Sequence, residues 1–265
     1  MKNSIKIFLT IFILLLLTSC EIEEVISTDQ VHIEYAVVQS ELQIDKIYEG
    51  VRFTKTLPLG IPYDIKIAEL KNIIAYVLIN SVQIIPLVYD YDGWYRTSYD
   101  VYPKAGDTFE LFADRDGKFI YAKTIIPSQP QVTNARYNQG SYYLDARVNT
   151  NSSEVYAALW IIAGTNPLKA RDYFSVSAGF SGENTIVRTT VIPEEYRGIN
   201  YNDSRFIQVF AFDKSFEKYF NSRAANNDIS DPFIQGGGEI QWNVQGDKVI
   251  GMFIGIAESL PIKAN

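Results

Sequence analysis

The residue best suited to covalent chemistry is Cys20, the only cysteine in the 265-residue chain. It follows Lys2, Lys6, an apolar run over residues 7–17, and Leu17-Thr18-Ser19, the small-residue pattern that a lipoprotein signal peptidase needs before cysteine. The eleven apolar residues would span roughly 16 Å of a hydrocarbon core about 30 Å thick, which indicates a cleaved signal and not a membrane span. Residues 1–19 are therefore predicted to be a signal peptide, with an acylated Cys20 as the lipid anchor. A plain secretory signal with an incidental cysteine is the alternative.

The predicted mature chain is acidic. Without residues 1–19 it keeps 22 Lys and Arg against 31 Asp and Glu, a formal net charge of −9. Such a surface repels nucleic acid and anionic lipid head groups, so polyphosphate partners are excluded. Glu21, Glu23 and Glu24 form either an export signal or a solvated stretch, and residues 20–29 are predicted to be a lipidated tether.

The usual catalytic groups are scarce. His32, the sole histidine, is interpreted as an ordinary strand residue, and one histidine with one cysteine cannot form a His/Cys zinc site. Asp114-x-Asp116-Gly117 resembles the start of a calcium loop, but a strand pattern follows it and no glutamate stands at the twelfth position, which favours a hairpin turn. GFSG at residues 179–182 is interpreted as a turn. We predict no catalytic residue, no metal, no cofactor and no enzymatic activity.

Ligand binding has one candidate constellation. Asp90 and Asp92 lie beside several aromatic residues, and protein surfaces hold sugars or peptides by such acids next to aromatic faces. Tyr91, Asp92 and Trp94 are the predicted binding residues. The competing interpretation is that these strand aromatics fill the core.

The elements that would position these residues are strands. Residues 31–37 alternate between apolar and polar, and residues 73–89 are rich in Val, Ile, Leu and Tyr, with Pro86 indicating an edge or bulge. Asp92-Gly93 and Asp116-Gly117 predict type I′ hairpins, because Asp-Gly tolerates positive φ at both positions. Short strands with turn signals about every ten residues predict an Ig-like or prealbumin-like β-sandwich over residues 30–127.

A second, β-rich domain is predicted over residues 128–265. Pro127-Ser128-Gln129-Pro130 is the predicted linker, and the strands are predicted at residues 142–148, 155–163, 185–192 and 205–213. One amphipathic helix is predicted near residues 214–226, from the spacing of its aromatic residues, with Asp213 or Ser215 as the cap.

The chain is expected to close with a hairpin of Glu239–Val244 and Val249–Ala257. In the last strand Ile250, Met252, Ile254 and Ile256 would share one face, while Gly251 and Gly255 flank Phe253 on the other. Two glycines on one face predict a close approach, by an aromatic ring or the helix in preference to a ligand.

Several short motifs occur in a recognisable order: TLPLG at 56–60, DGWYRT at 92–97, IIPSQPQV at 125–132, DPF at 231–233 and GMFIG at 251–255. Together with Leu17-Thr18-Ser19-Cys20, this order of motifs resembles that of the Bacteroidota outer-membrane lipoproteins grouped as domain of unknown function family 4249. The resemblance implies a two-part β architecture and association with a TonB-dependent transporter. It implies no enzymatic residues.

The sequence thus predicts a non-enzymatic binding or accessory module, lipid-anchored to the outer membrane at its cell-surface or periplasmic face. Its ligand would be a glycan or a peptide. The first alternative is a glycosidase-like hydrolase, which requires two carboxylates about 5–9.5 Å apart in a cleft. The second is a structural or adhesive surface protein without a concave pocket.

Overall fold

The computed structural model describes residues 32–164, 167–169, 174–177, 182–227 and 240–265. The signal peptide, Cys20, the acidic tether, most of GFSG and the DPF motif lie outside the described residues, so the predictions made for them stay predictions. Residues 34–265 form one compact unit. Among the described residues, no helix is both long enough and apolar enough to cross a membrane.

The fold is mainly β, as predicted. In chain order the strands are β1 (Ala36–Gln43), β2 (Val51–Lys55), β3 (Ile73–Ile79), β4 (Gln83–Tyr89), β5 (Trp94–Arg96), β6 (Thr108–Arg115), β7 (Lys118–Ile125), β8 (Gln131–Asn138), β9 (Tyr143–Thr150), β10 (Glu154–Ile162), β11 (Leu168–Lys169), β12 (Phe174–Ser177), β13 (Gly182–Arg188), β14 (Arg205–Asp213), β15 (Val244–Gly246), β16 (Val249–Glu258) and β17 (Ile262–Lys263). The helices are α1 (Ile65–Ala68) and α2 (Phe216–Asn227), with 3₁₀ turns at Glu194–Tyr196 and Ile199–Tyr201.

The strands form one large curled sheet and one small sheet. The large sheet has the order β11-β10-β14-β16-β1-β2-β5-β4-β3-β6-β7-β15, with β12 also paired to β10 and β17 to β14. The small sheet has the order β13-β9-β8. Strand β10 is buried along its whole length, which fits the uninterrupted apolar sequence after its first residue, Glu154.

Strand β16 links the two halves of the chain. It pairs in parallel with β1, from Ala36 opposite Val249 to Gln43 opposite Ile256, and in antiparallel with β14. Its Phe253 packs in a hydrophobic cluster with the strands up to β7, whereas Ile254 packs in a second cluster with β9, β10, β14 and α2. The last long strand is therefore part of both cores.

Several predicted elements are confirmed. The Asp92-Gly93 turn has φ values of 50° and 79°, and the Asp116-Gly117 turn has 52° and 81°, as type I′ hairpins require. Helix α2 matches the predicted helix, and Asp213 Oδ1 accepts a hydrogen bond from the Ser215 backbone N at 2.7 Å just before it. The division of the chain at Pro127–Pro130 stays a prediction.

Two predictions about strands are wrong. The first strand begins at Ala36, inside the alternating stretch 31–37, so residues 32–35 precede it instead of belonging to it. From residue 240 onward, where the structure describes the chain again, the closing hairpin does not form either, because Val244–Gly246 pairs with Ile120–Ala122 of β7. The Asn243 side chain contacts β16 instead, with Nδ2 donating to Phe253 O at 2.6 Å and Oδ1 accepting from Phe253 N at 3.0 Å.

The predicted close approach at Gly251 and Gly255 is confirmed, but the approaching group is backbone and not an aromatic ring or the helix. A Cβ on Gly251, whose φ is +125°, would lie 2.0 Å from Val38 O in β1. A Cβ on Gly255 would lie 2.7 Å from Ile125 O. The glycines thus let neighbouring segments pack directly against β16.

Candidate binding groove

A groove of about 850 Å³ lies over the parallel pair β1 and β16. Because side chains alternate along a strand, four residues of each strand point to its floor. Strand β1 contributes a mainly polar half and β16 an apolar half: Val37, Gln39, Glu41 and Gln43 on one side, Ile250, Met252, Ile254 and Ile256 on the other. The predicted common face of the four β16 residues is confirmed, and the floor is amphipathic across its width.

One wall of the groove is aromatic and is built around α2. Phe212, at the end of β14, stacks on Phe216 at 5.4 Å, and Phe216 contacts Tyr219 at 5.3 Å between ring centroids. Tyr219 then meets Trp242 at 5.6 Å. The Gln241 backbone N donates to Ser222 Oγ at 3.0 Å, which holds the segment carrying Trp242 against the helix. The helical spacing of these aromatics thus places rings along the groove as well as in the core.

The opposite wall contains Trp94 and Arg52. Arg52 Nε donates to Asp92 O at 2.9 Å, and its guanidinium lies 5.9 Å from the Trp94 ring centroid. Arg96 lies 5.5 Å from the same centroid. The two guanidinium groups hold the Trp94 indole by cation–π attraction, and the hydrogen bond from Arg52 to Asp92 O fixes Arg52 in turn.

The charges along the groove are only partly paired. Lys46 Nζ forms an ion pair with Glu258 Oε1 at 2.8 Å. Glu41 and Glu49 also line the groove, and within the described residues neither has an ion pair. Two carboxylates and the amides of Gln39 and Gln43 therefore remain as hydrogen-bonding groups for a ligand.

The structure separates the three predicted binding residues. Trp94 lines the groove, but Tyr91 and Asp92 do not. The Tyr91 hydroxyl accepts a hydrogen bond from Arg96 Nη2 at 3.1 Å. Asp92 is part of the turn and pairs with Lys66 Nζ at 2.5 Å, and this contact raises the pKa of Lys66. Binding by Tyr91 and Asp92 stays a prediction.

Sequence reasoning missed Trp242 and the polar residues of β1. Trp242 was placed in a strand of the closing hairpin, and its contact with α2 depends on the chain path between them. The alternation Gln39, Glu41, Gln43 was a usable signal, because a regular polar stripe indicates a strand face that is not buried in a core.

A buried acid outside the groove is fully engaged. Glu69 Oε2 accepts from the Tyr89 hydroxyl at 2.5 Å, and Glu69 Oε1 pairs with Lys71 at 2.9 Å. Both contacts, the tyrosine hydrogen bond first, lower the pKa of Glu69. A general acid of a glycosidase needs the opposite shift, so this carboxylate suits a structural role. Within the described residues no group of three or more His, Cys, Asp and Glu side chains could hold a metal ion.

A second, smaller cavity of about 230 Å³ is lined in part by Arg205. This buried guanidinium donates to Asn202 Oδ1 at 2.8 Å and to the carbonyl oxygens of Tyr196, Arg197 and Gly198 at 2.7–3.1 Å. It also lies 3.9 Å from the ring centroid of Tyr137. Arg205 therefore holds the turn before β14 in place.

The fold and the groove define a β-rich protein with one concave, aromatic-walled surface. None of the protein-family models compared with the chain matches it. No curated protein matches it either. A solved structure of a DUF4785 family protein from Legionella pneumophila is similar over 70% of this chain and 53% of that chain, with 10% identity and a TM-score of 0.26. The match spans about half the length of that protein.

Proposed function

We propose that the protein is a non-enzymatic binding module, anchored to the outer membrane through acylated Cys20, that holds an extended glycan in the groove. The observation that carries the proposal is the groove itself, with Trp94 and Trp242 on opposite walls. A purely structural surface protein would not need such a site. In keeping with the resemblance to family 4249, the module would serve a TonB-dependent transporter.

The shape of the floor favours an elongated ligand. The outward residues of β1 from Val37 to Gln43 extend over roughly 20 Å at about 3.3 Å per residue. A sugar ring has apolar faces and polar edges, and the floor offers an apolar strip beside a row of amides and carboxylates. Trp94 and Trp242 would stack on the ring faces while Gln39 and Glu41 bind hydroxyl groups.

A peptide added as a further strand fits less well. Such binding needs free backbone groups at a sheet edge. On the groove segment of β16, the Asn243 side chain occupies N and O of Phe253, and Thr124 Oγ1 accepts from Gly255 N at 2.9 Å. Recognition must therefore come from side chains, which favours the glycan.

Tryptophan fluorescence tests the groove directly. Of the three tryptophans, Trp94 and Trp242 line the groove, whereas Trp160 is buried in the second cluster and serves as an internal reference. Titration with neutral hexasaccharides should change the emission, and uncharged hexapeptides should not. Trp94→Phe and Trp242→Phe should each raise the dissociation constant that the remaining groove tryptophan reports.

Tyr91→Ala is the matched control, because Tyr91 is an aromatic residue close to Trp94 in the chain but outside the groove. We expect this variant to bind like the wild type. Loss of binding in Tyr91→Ala with retention in Trp242→Phe would reject the groove and favour the site predicted from sequence. Detergent-phase partitioning tests the anchor, since Cys20→Ala should shift the protein to the aqueous phase.

A further inference from the structure

A second surface stands out on the outer face of the neighbouring strands β4, β3, β6 and β7. Large apolar side chains there are strongly exposed to solvent, with exposed fractions of 77% for Ile74, 69% for Val88, 64% for Ile84 and 56% for Phe119. Isolated exposed residues of this kind are ordinary, but a contiguous group on one sheet face indicates a contact surface. We call it the apolar sheet face.

Aromatic rings run across the middle of this face. Tyr76, Phe112 and Tyr121 stand opposite one another on β3, β6 and β7. Their ring centroids are 5.1 Å apart for Tyr76 and Phe112 and 5.2 Å for Phe112 and Tyr121. Phe119 adds a fourth ring 6.1 Å from Phe112. The rings support one another and form a continuous platform.

The two acidic residues that β6 places on the apolar sheet face, Glu110 and Asp114, already have partners. Glu110 Oε1 accepts from the Tyr121 hydroxyl at 2.7 Å and lies 3.6 Å from Lys123 Nζ. Asp114 Oδ1 accepts from Gly117 N at 3.0 Å. Burial and the contact with Glu110 raise the pKa of Tyr121 to about 12, so this hydroxyl stays neutral. The platform therefore presents rings and aliphatic groups, with its carboxylates engaged.

The chain enters the compact unit at one end of this sheet. Glu34, its first residue, pairs with Arg115 at the end of β6 and with Lys55 at 3.2 Å. Phe119 and Ile74 are exposed at the same end, opposite Asp114. Thirteen residues separate Cys20 from Glu34, and the fourteen steps from one to the other span at most about 50 Å when extended. An acyl anchor on Cys20 would thus keep the end of the sheet that carries Phe119 and Ile74 within this distance of the bilayer.

We propose that the apolar sheet face rests on the lipid bilayer, with the interface of neutral phospholipids as its partner. The inference depends on the lipid anchor proposed above. Rings and branched aliphatic side chains gain free energy at the boundary between head groups and acyl chains. The predicted mature charge of −9 works against attraction to anionic lipids, so the contact is apolar and insensitive to salt.

A depth-sensitive label tests this arrangement. Because Cys20 is the only cysteine and is consumed by acylation, a cysteine introduced elsewhere is a unique thiol. Ile74→Cys places a fluorophore on the apolar sheet face, and Leu260→Cys is the matched control, since both residues are 77% exposed. The full chain, produced with its signal peptide, is incorporated into phosphatidylcholine vesicles with or without brominated acyl chains.

We expect brominated lipid to quench the label at position 74 at least about twofold more than the label at position 260. The difference should persist at 1 M salt, a concentration with a screening length of about 3 Å. Phe119→Glu should reduce the quenching at position 74 without changing flotation with the vesicles.

Three results would overturn the inference. Protein that fails to float with vesicles rejects the anchor and, with it, both the membrane part of the proposed function and this arrangement. Protein that floats but shows equal quenching at positions 74 and 260 rejects this arrangement alone. A label at position 74 that is shielded from an aqueous quencher yet not quenched by brominated lipid shows that protein, such as a second copy of this chain, covers the face.

Discussion

The pairing of β1 with β16 can be tested at one residue. Gly251 has a φ of +125°, and a Cβ added there would lie 2.0 Å from Val38 O and 2.7 Å from Val38 N. Gly251→Ala therefore combines an unfavourable backbone conformation with a collision between two backbones. Strand β1 is held against such a shift, because it pairs with both β16 and β2 along this stretch, and Phe253 of β16 is buried two residues further on.

Two further glycines separate these effects. Gly106 has a φ of +85° with no atom within 4 Å of an added Cβ, so Gly106→Ala measures the backbone conformation alone, about 1–2 kcal/mol. Gly255 has an ordinary φ but would place its Cβ 2.7 Å from Ile125 O, so Gly255→Ala measures the collision, about 1–3 kcal/mol. For Gly251→Ala we expect the two contributions together, about 2–5 kcal/mol.

The assay is denaturant unfolding of the three variants and the wild type. A fall in the midpoint at constant m value reports a change in stability and not a change in the compactness of the unfolded chain. If Gly251→Ala is no more destabilising than Gly106→Ala, β1 does not approach β16 as closely as described. The two strands could not then form the floor of the groove together.

Three other predictions concern single side chains. The lowered pKa of Glu69 gives stability that is present above its ordinary value of 4.5 and is lost as the pH falls through the lowered pKa. In a plot of unfolding free energy against pH, Glu69→Gln should therefore flatten the acid limb. Tyr89→Phe, which removes one of the two contacts, should flatten it in part. In Arg205→Lys the single ammonium group cannot donate to all four acceptors at once. The variant should therefore lose about 1.5–3 kcal/mol of unfolding free energy, measured by thermal unfolding. Asn243→Leu leaves the N–H and C=O of Phe253 without partners and should cost about 1–3 kcal/mol in the same measurement.

Local features of the fold could be predicted because local chemistry decides them. Asp92-Gly93 and Asp116-Gly117 have few alternatives to a tight turn, and the apolar run after Glu154 fits only a buried strand. Local chemistry does not decide which strands pair with each other. The sequence of β16 alternates correctly for a hairpin with the preceding segment, yet its partner is β1, from the other end of the chain. Nothing in a local pattern specifies a pairing over such a distance.

The same limit explains the partial prediction of the groove. Trp94 could be found because acids and aromatics adjoin it in the sequence. Trp242, on the other wall, has no such neighbours, and only the packing of α2 brings it to the groove. The amides of β1 belong to the floor because β16 supplies the apolar half. A site assembled from three distant segments is therefore visible only in parts from sequence.

This assembly has a consequence for the dynamics of the groove. Strands β1 and β16 come from opposite ends of the described chain, and β16 belongs to both hydrophobic clusters, so local opening of the floor would disrupt both cores. We expect the amides of β1 and β16 to exchange with solvent only through global unfolding, with equal opening free energies. Strand β8, at the edge of the small sheet, should exchange at lower free energy. A groove ligand should raise the protection of β1 and β16 together, because it binds only when both strands are in place. Faster exchange of β16 than of β1 would show that the last strand opens alone, and a groove floored by both strands could not then be a preformed binding site.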